Sequence, residues 1–237
     1  MSEDMNFDFH VHSVYSRDSL LKPEKIIEIS RKIGLSGVAV TDHETIKGAI
    51  KTLKIVGEKK LNFKVVVGSE IKTNYGDVVG LFLSDEIKKT DFFEVIDEIR
   101  EQNGIVVLPH PYKRNTDPNE LIKYVDFIEV LNARISKKLN QKARILAKNS
   151  KIRSIAGSDA HTWIEIGRVQ TILKNCDDNI RECLLKNNIR IKGSELPQPL
   201  QLVSISIGKY KKEGTSGLLK TSWRKIANWR KEGETRK

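Results

Sequence analysis

Asn6-Phe7-Asp8-Phe9-His10-Val11-His12 is a short apolar run that closes on two histidines two positions apart. In a strand, residues i and i+2 point to one face, so His10, His12 and also Asp8 share a side. Six further apolar runs follow, at residues 37–41, 63–71, 78–83, 104–108, 127–131 and 153–156. Most are short and rich in Val and Ile, as buried strands are. Helical patterns separate most of them. Pro23 opens one, with Ile26, Ile29 and Ile33 as its stripe and Gly34 as its stop; others cover 44–59, 91–103 and 135–150. Between residues 71 and 78 the chain carries Asn74-Tyr75-Gly76, which reads as a hairpin-like excursion and not a helical crossover. Alternating strands and helices imply an α/β fold with a largely parallel sheet, and seven such strands suit a barrel better than an open sheet.

The polar residues sharpen this. His10 and His12, Asp42 and His43, Glu70, His110, Asn132, and Asp159 and His161 all lie at the C-terminal ends of apolar runs. In β/α barrels that end holds the active site. All five histidines of the chain belong to this set. Imidazole with carboxylate is the usual ligand set for zinc, manganese and iron. Each fragment has an ordinary alternative: Asp42 precedes a helical run and could cap it. The convergence of five fragments is what implies a metal centre. On the same face as the His10–His12 pair, Asp8 is placed to orient or charge-balance the imidazoles.

Composition bounds the rest. At 237 residues, 38% hydrophobic and 31% charged, the chain can bury a substantial core without disulfides. No run of about 18 apolar residues suggests a membrane span. The acidic Met-Ser-Glu-Asp-Met start lacks the apolar segment of a signal peptide, so a cytoplasmic location is expected. Cys176 and Cys183 lie in a stretch that reads as helix, two turns apart, which implies two free thiols. The net charge is +11, of which residues 209–237 carry +7. Leu196-Pro197-Gln198-Pro199 marks a boundary between a body, 1–195, and a basic C-terminal extension, 196–237. In the extension, residues 200–207 read as one more strand. Residues 215–229 read as a basic amphipathic helix with Leu218, Leu219, Trp223, Ile226 and Trp229 on its apolar side. Such an extension is a possible nucleic-acid contact, with Trp223 and Trp229 stacking on bases.

The order Asp-x-His-x-His, Thr-Asp-His, Gly-x-Glu, His-Pro, Gly-Ser-Asp-Ala-His resembles the PHP family, named for polymerase and histidinol phosphatase, over residues 6–193. The resemblance implies a distorted seven-stranded β/α (TIM-like) barrel with two or three divalent metal ions, zinc, manganese or iron, at its mouth. It implies hydrolysis of phosphate esters. Carried across, it puts His10, His12, Glu70 and Asp159 on a first metal. Glu70 then bridges to a second that takes His110, and Asp18, His43 and His161 hold a third. Many relatives have a further histidine where this chain has Asp77; a carboxylate there hardens the site toward manganese or iron. Arg17 and Arg134 are the candidate clamps for phosphate, since guanidinium binds it bidentately. Tyr112, Lys113 and Arg114, after His110, are further candidates for substrate contact. The expectation is a metal-dependent phosphoesterase acting on a phosphorylated small molecule or nucleotide. The alternatives are a nuclease that holds RNA or DNA with the basic extension, and a non-catalytic nucleic-acid-binding or scaffold protein on an inherited barrel.

Overall fold

The computed structural model describes residues 3–113, 117–176, 179–186, 189–197, 200, 202, 205–211, 213 and 214. Its elements run β1 (Glu3–Val11), α1 (Pro23–Lys32), β2 (Gly37–Val40), α2 (Lys47–Glu58), β3 (Lys64–Thr73), β4 (Gly76–Leu81), α3 (Phe92–Glu101), β5 (Ile105–Leu108), β6 (Phe127–Asn132), α4 (Lys137–Ser150), β7 (Arg153–Gly157), β8 (Val169–Cys176), α5 (Ile180–Leu185) and β9 (Ile189–Gly193). The strands form one sheet in the order β7-β6-β5-β4-β3-β2-β1-β8-β9. Among the described residues the count is nine, not seven: β8 and β9 add an antiparallel pair beyond β1.

Pairing is parallel for β1–β2, β2–β3, β5–β6 and β6–β7 and antiparallel for the other four pairs, so the sheet is mixed and not largely parallel. The hairpin between β3 and β4 is as expected. It reverses β4, so that the N-terminal end of β4, with Lys72 opposite Asp77, lies at the same rim as the C-terminal ends of β1, β2 and β3.

The sheet curls until β7 meets β1. The His12 N–H donates to the Ala160 carbonyl (2.8 Å), and the Ala160 N–H to the His10 carbonyl (3.2 Å). Gly157 permits this approach: a Cβ there would lie 2.3 Å from the Cβ of His10. The result is a nearly closed barrel. One buried cluster draws on each of β1 to β8, through Phe7, Ala39, Val66, Val79, Leu81, Ile105, Val107, Phe127, Ile155 and Leu173. On β2 the neighbours of Ala39 point the other way, and Val38 and Val40 pack with Ile26 and Ile27 of α1 and Ala49 of α2. This is the period of two expected of a strand covered on both sides.

Local signals explain the helix ends. Pro23 is pre-set for the first turn of α1. Asp91 caps α3 by accepting from the Phe93 and Glu94 N–H groups. On α1 the buried side is Pro23, Ile26, Ile27 and Ser30, whereas Ile33 is 44% exposed; the stripe is turned from the expected one. Cys176 and Cys183 do not share a helix. Cys176 ends β8 and Cys183 sits in α5, with Cα atoms 5.5 Å apart, and the two are joined as a disulfide. In place of a strand at 200–207, residues 205–211 are helical. The expected helix 215–229 lies outside the described residues. Among the described residues no helix is long and apolar enough to cross a membrane.

Candidate metal centre

Glu70 is the hub of the barrel mouth. It lies within a buried stretch of β3 that runs from Gly68 to Ile71, and is 2% exposed. Its Oε1 lies 2.9 Å from His110 Nε2. Its Oε2 lies 3.4 Å from His12 Nε2, 3.6 Å from His10 Nε2 and 3.2 Å from His43 Nδ1. Asp159 Oδ1 closes the first group, 3.3 Å from His12 Nε2 and 3.9 Å from His10 Nε2. On the far side, Asp18 Oδ2 is 3.3 Å from both His43 Nε2 and His161 Nε2. Ligand atoms of three sets gather within 4.8 Å of one another: His10, His12 and Glu70; Glu70, Asp77 and His110; His12, His43 and His161. Residues spread over the first 161 positions thus meet at one rim. Two of them, His110 (φ 29°) and Asp159 (φ 57°), sit in the left-handed region that side chains seldom adopt, so the fold holds them against a local cost.

The outward ring nitrogens decide the chemistry. His10 Nδ1 donates to Glu129 Oε1 at 2.9 Å. His12 Nδ1 donates to Ser16 Oγ at 3.1 Å, and Ser16 in turn donates to Asp42 Oδ1 at 2.8 Å. With both Nδ1 atoms committed as donors, the two Nε2 atoms present lone pairs to each other 3.1 Å apart. Two facing lone pairs repel; a proton or a cation between them turns the contact favourable. Metal-bound histidines are oriented in this way by a carboxylate or hydroxyl on the other nitrogen. A second observation agrees: Asp18 Oδ1 is buried and has no hydrogen-bond partner among the described residues. The residues therefore fit divalent cations.

Electrostatics point the same way. Burial alone would push Glu70 and Asp159 toward neutrality. It is outweighed at Glu70 by the adjacent His10 and His110, and at Asp159 by Lys113, His10 and Arg134, so both stay well below the usual carboxylate range. Burial disfavours a charged His10, but Glu129 and Asp159 outweigh it and raise its pKa well above the ordinary value. His12 goes the other way, lowered by burial and by His161 and His43. A metal-free centre thus keeps protons that a metal ion displaces.

The remaining expected residues fall into place as follows. Arg134 is half-buried, with Nη1 against His161 Nδ1 and 3.7 Å from Asp159 Oδ1, and Nε 3.8 Å from Glu165 Oε1. Lys113 Nζ lies 3.8 Å from Asp159 Oδ2, on the same rim. Arg17 is exposed and makes no ion pair among the described residues. Arg114 lies outside them. Asp42 does not cap α2. It accepts from the Ser13 N–H and Oγ, both at 2.6 Å, and from Ser16, and so ties the loop after β1 to the end of β2. Asp8 does not touch an imidazole ring. It is fully buried and accepts from the Ser158 N–H (2.8 Å), Ser158 Oγ (2.5 Å), the Gly167 N–H (2.8 Å) and the His10 backbone N–H (3.3 Å), with burial pushing its pKa up to about 6. It locks β7 to β1, and the ring-orienting task falls to Glu129. Sequence reasoning missed Glu129. The signal was present: a glutamate inside the otherwise apolar Phe127–Leu131 run has to find a buried partner.

Fold and site together define a nearly closed α/β barrel with a ligand-rich mouth built from strand ends. The chain belongs to the PHP domain family, which is matched over residues 8–188. An uncharacterised protein of Methanocaldococcus jannaschii is 34% identical over 213 residues, spanning 81% of this chain and 82% of its own length. A second uncharacterised protein of that organism is 40% identical over 119 residues, 46% of this chain and 68% of its own. Among solved structures, a two-domain protein of Bacteroides vulgatus, described as containing a predicted PHP-like metal-dependent phosphoesterase, superposes with a TM-score of 0.70 at 21% identity. The match covers 85% of this chain and 69% of that one. At that identity the likeness is one of fold.

Proposed function

We propose that this chain is a metal-dependent phosphoesterase that hydrolyses the phosphate esters of a small molecule or a nucleotide. The observation that carries the reading is the pair of Nε2 atoms of His10 and His12, facing each other at 3.1 Å with both outward nitrogens engaged. Such a pair is arranged for a cation. His10, His12, Glu70 and Asp159 would hold one ion, Glu70, Asp77 and His110 a second, and Asp18, His43 and His161 a third. Bound divalent ions lower the pKa of water toward neutrality and offset charge on phosphate oxygens. With Asp77 in place of an imidazole, the second position favours manganese or iron.

The chain's own side chains supply binding and orientation. Arg134 and Lys113 bring two cationic heads to the oxygens of Asp159 at the rim, where an incoming phosphate would meet both. Burial opposes the charge on Lys113, but Asp159 and Glu70 outweigh it and raise its pKa, so the ammonium is kept. Glu129, Ser16 and Asp42 hold the imidazoles in one tautomer.

The test is metal content of protein purified without chelator, with p-nitrophenyl phosphate and nucleotide hydrolysis measured on the same preparation. About two to three equivalents of metal, with chelator-sensitive turnover lost in folded His10→Ala and Glu70→Ala variants, is the expected result. No bound metal, and no activity after adding manganese, zinc or iron, would refute it and favour a binding protein.

A further inference from the structure

The helical residues 205–211 lie against the loop that joins β1 to α1. At their end, Lys211 Nζ donates to three backbone carbonyls of that loop, Val14 (2.6 Å), Ser16 (2.5 Å) and Ser19 (2.6 Å). An ammonium has three protons, and all three are placed on one short loop. One turn earlier, Gly208 touches the same loop at Asp18: a Cβ on Gly208 would lie 3.2 Å from both the Cβ and the carbonyl oxygen of Asp18. Asp18 therefore sits between gripped carbonyls at 16 and 19, under the helix. Its Oδ2 reaches His43 and His161, and its Oδ1 is buried with no partner among the described residues. Ser19 adds a cross-tie, its Oγ donating to the carbonyls of His12 (2.8 Å) and His161 (3.1 Å).

We propose that Lys211 is a positioning residue that holds the Asp18 loop in its ligating shape, so that one metal position is completed by a segment outside the PHP domain match. That match ends at residue 188. The inference rests on the metal-centre reading given above. The physical argument is local. Three carbonyl dipoles aimed at one point repel one another unless a cation occupies it. Without the ammonium the loop opens and Asp18 leaves His43 and His161. The basic charge at this position thus serves the barrel and not an outside polyanion.

The experiment is manganese titration of the 237-residue chain after chelator stripping, counting bound ions in wild type, Lys211→Met, Gly208→Leu and Asp18→Asn, with thermal melts to show that each is folded. The two extension variants reach the loop through different contacts, so one remains informative if the other fails to fold. Lys211→Met and Gly208→Leu are expected to weaken one manganese position by about 10–100-fold and leave the others unchanged, as Asp18→Asn does. Excess manganese should restore occupancy in Lys211→Met. Wild-type number and affinity in the folded Lys211→Met and Gly208→Leu proteins, with one position lost in Asp18→Asn, would overturn the inference while leaving the metal centre standing. No effect of Asp18→Asn would remove Asp18 as a ligand and the inference with it. A wild type that binds no manganese would refute the metal-centre reading itself.

Discussion

Glu129→Gln is the most discriminating single change at this centre, because it is nearly isosteric and replaces one acceptor oxygen and the negative charge with an NH2 donor. Glu129 Oε1 accepts from His10 Nδ1, and Oε2 accepts from the His110 N–H and from Asn132 Nδ2, each at 2.9 Å. A glutamine has one oxygen for these three donors. If its oxygen stays on the His110 and Asn132 side, its NH2 faces His10 Nδ1. His10 must then accept at Nδ1 and carry its proton on Nε2, the nitrogen aimed at His12. If the amide turns over, two buried donors face an NH2, at about 1–3 kcal/mol each. The first arrangement keeps more hydrogen bonds and should win. The expected cost is therefore small in folding, about 1 kcal/mol or less. In metal binding it is large, about 10–100-fold, the usual loss when a ligand's outer partner is changed. That range corresponds to about 1.4–2.7 kcal/mol. The assay is manganese titration by calorimetry beside a urea unfolding curve. Wild-type manganese affinity in the folded variant would refute the tautomer argument, and with it the claim that Glu129 sets the lone pair of His10.

Three further outcomes are expected. The pKa values of His10 and His43 are raised because neighbouring carboxylates outweigh burial, so a proton competes with metal until pH exceeds those values; manganese affinity should rise with pH and binding should release protons, and a pH-independent affinity would contradict this. Arg134→Met should lower kcat/KM for phosphate esters by about 10²–10³-fold, with Arg134→Lys restoring part of it, whereas unchanged kinetics would take Arg134 out of the site. Asp8→Ala strips the acceptor from the Ser158, Gly167 and His10 backbone donors and from the Ser158 hydroxyl; the cost should be about 3 kcal/mol or more by urea unfolding, and less than about 1 kcal/mol would show that Asp8 is not the lock between β7 and β1.

The contrast between Glu129 and its neighbours shows how far local pattern reaches. His10, His12, His43, His110 and His161 were legible as candidates because a histidine at the end of an apolar run is unusual in itself, wherever its partners lie. Seven strands were legible because each is a short apolar run, most of them rich in Val and Ile, bounded by turn residues or helical periodicity. Glu129 looked like an interruption of one strand, and only its pairing with His10, 119 positions away, gives it a task. The second antiparallel pair was missed for a related reason: Val169–Cys176 gains its strand from pairing with β1, and the stretch around Cys176 carries helical spacing of its own. Once β8 ends at Cys176 and Cys183 falls in the separate helix α5, the two cysteines come within bridging distance, which no single helix would have allowed.

Lys211 is the extreme case. In the sequence it is one of ten basic residues after position 208 and is indistinguishable from the others. Its place over the Asp18 loop depends on where the sheet closes and where the chain leaves it. The chemistry available here was already written in residue order, because ligand types and their position at strand ends are local properties of the chain. The tertiary structure decided which atoms meet, which ring nitrogens are left free and which distant cation shapes the loop. Those depend on barrel closure, and closure is a property of all the strands together.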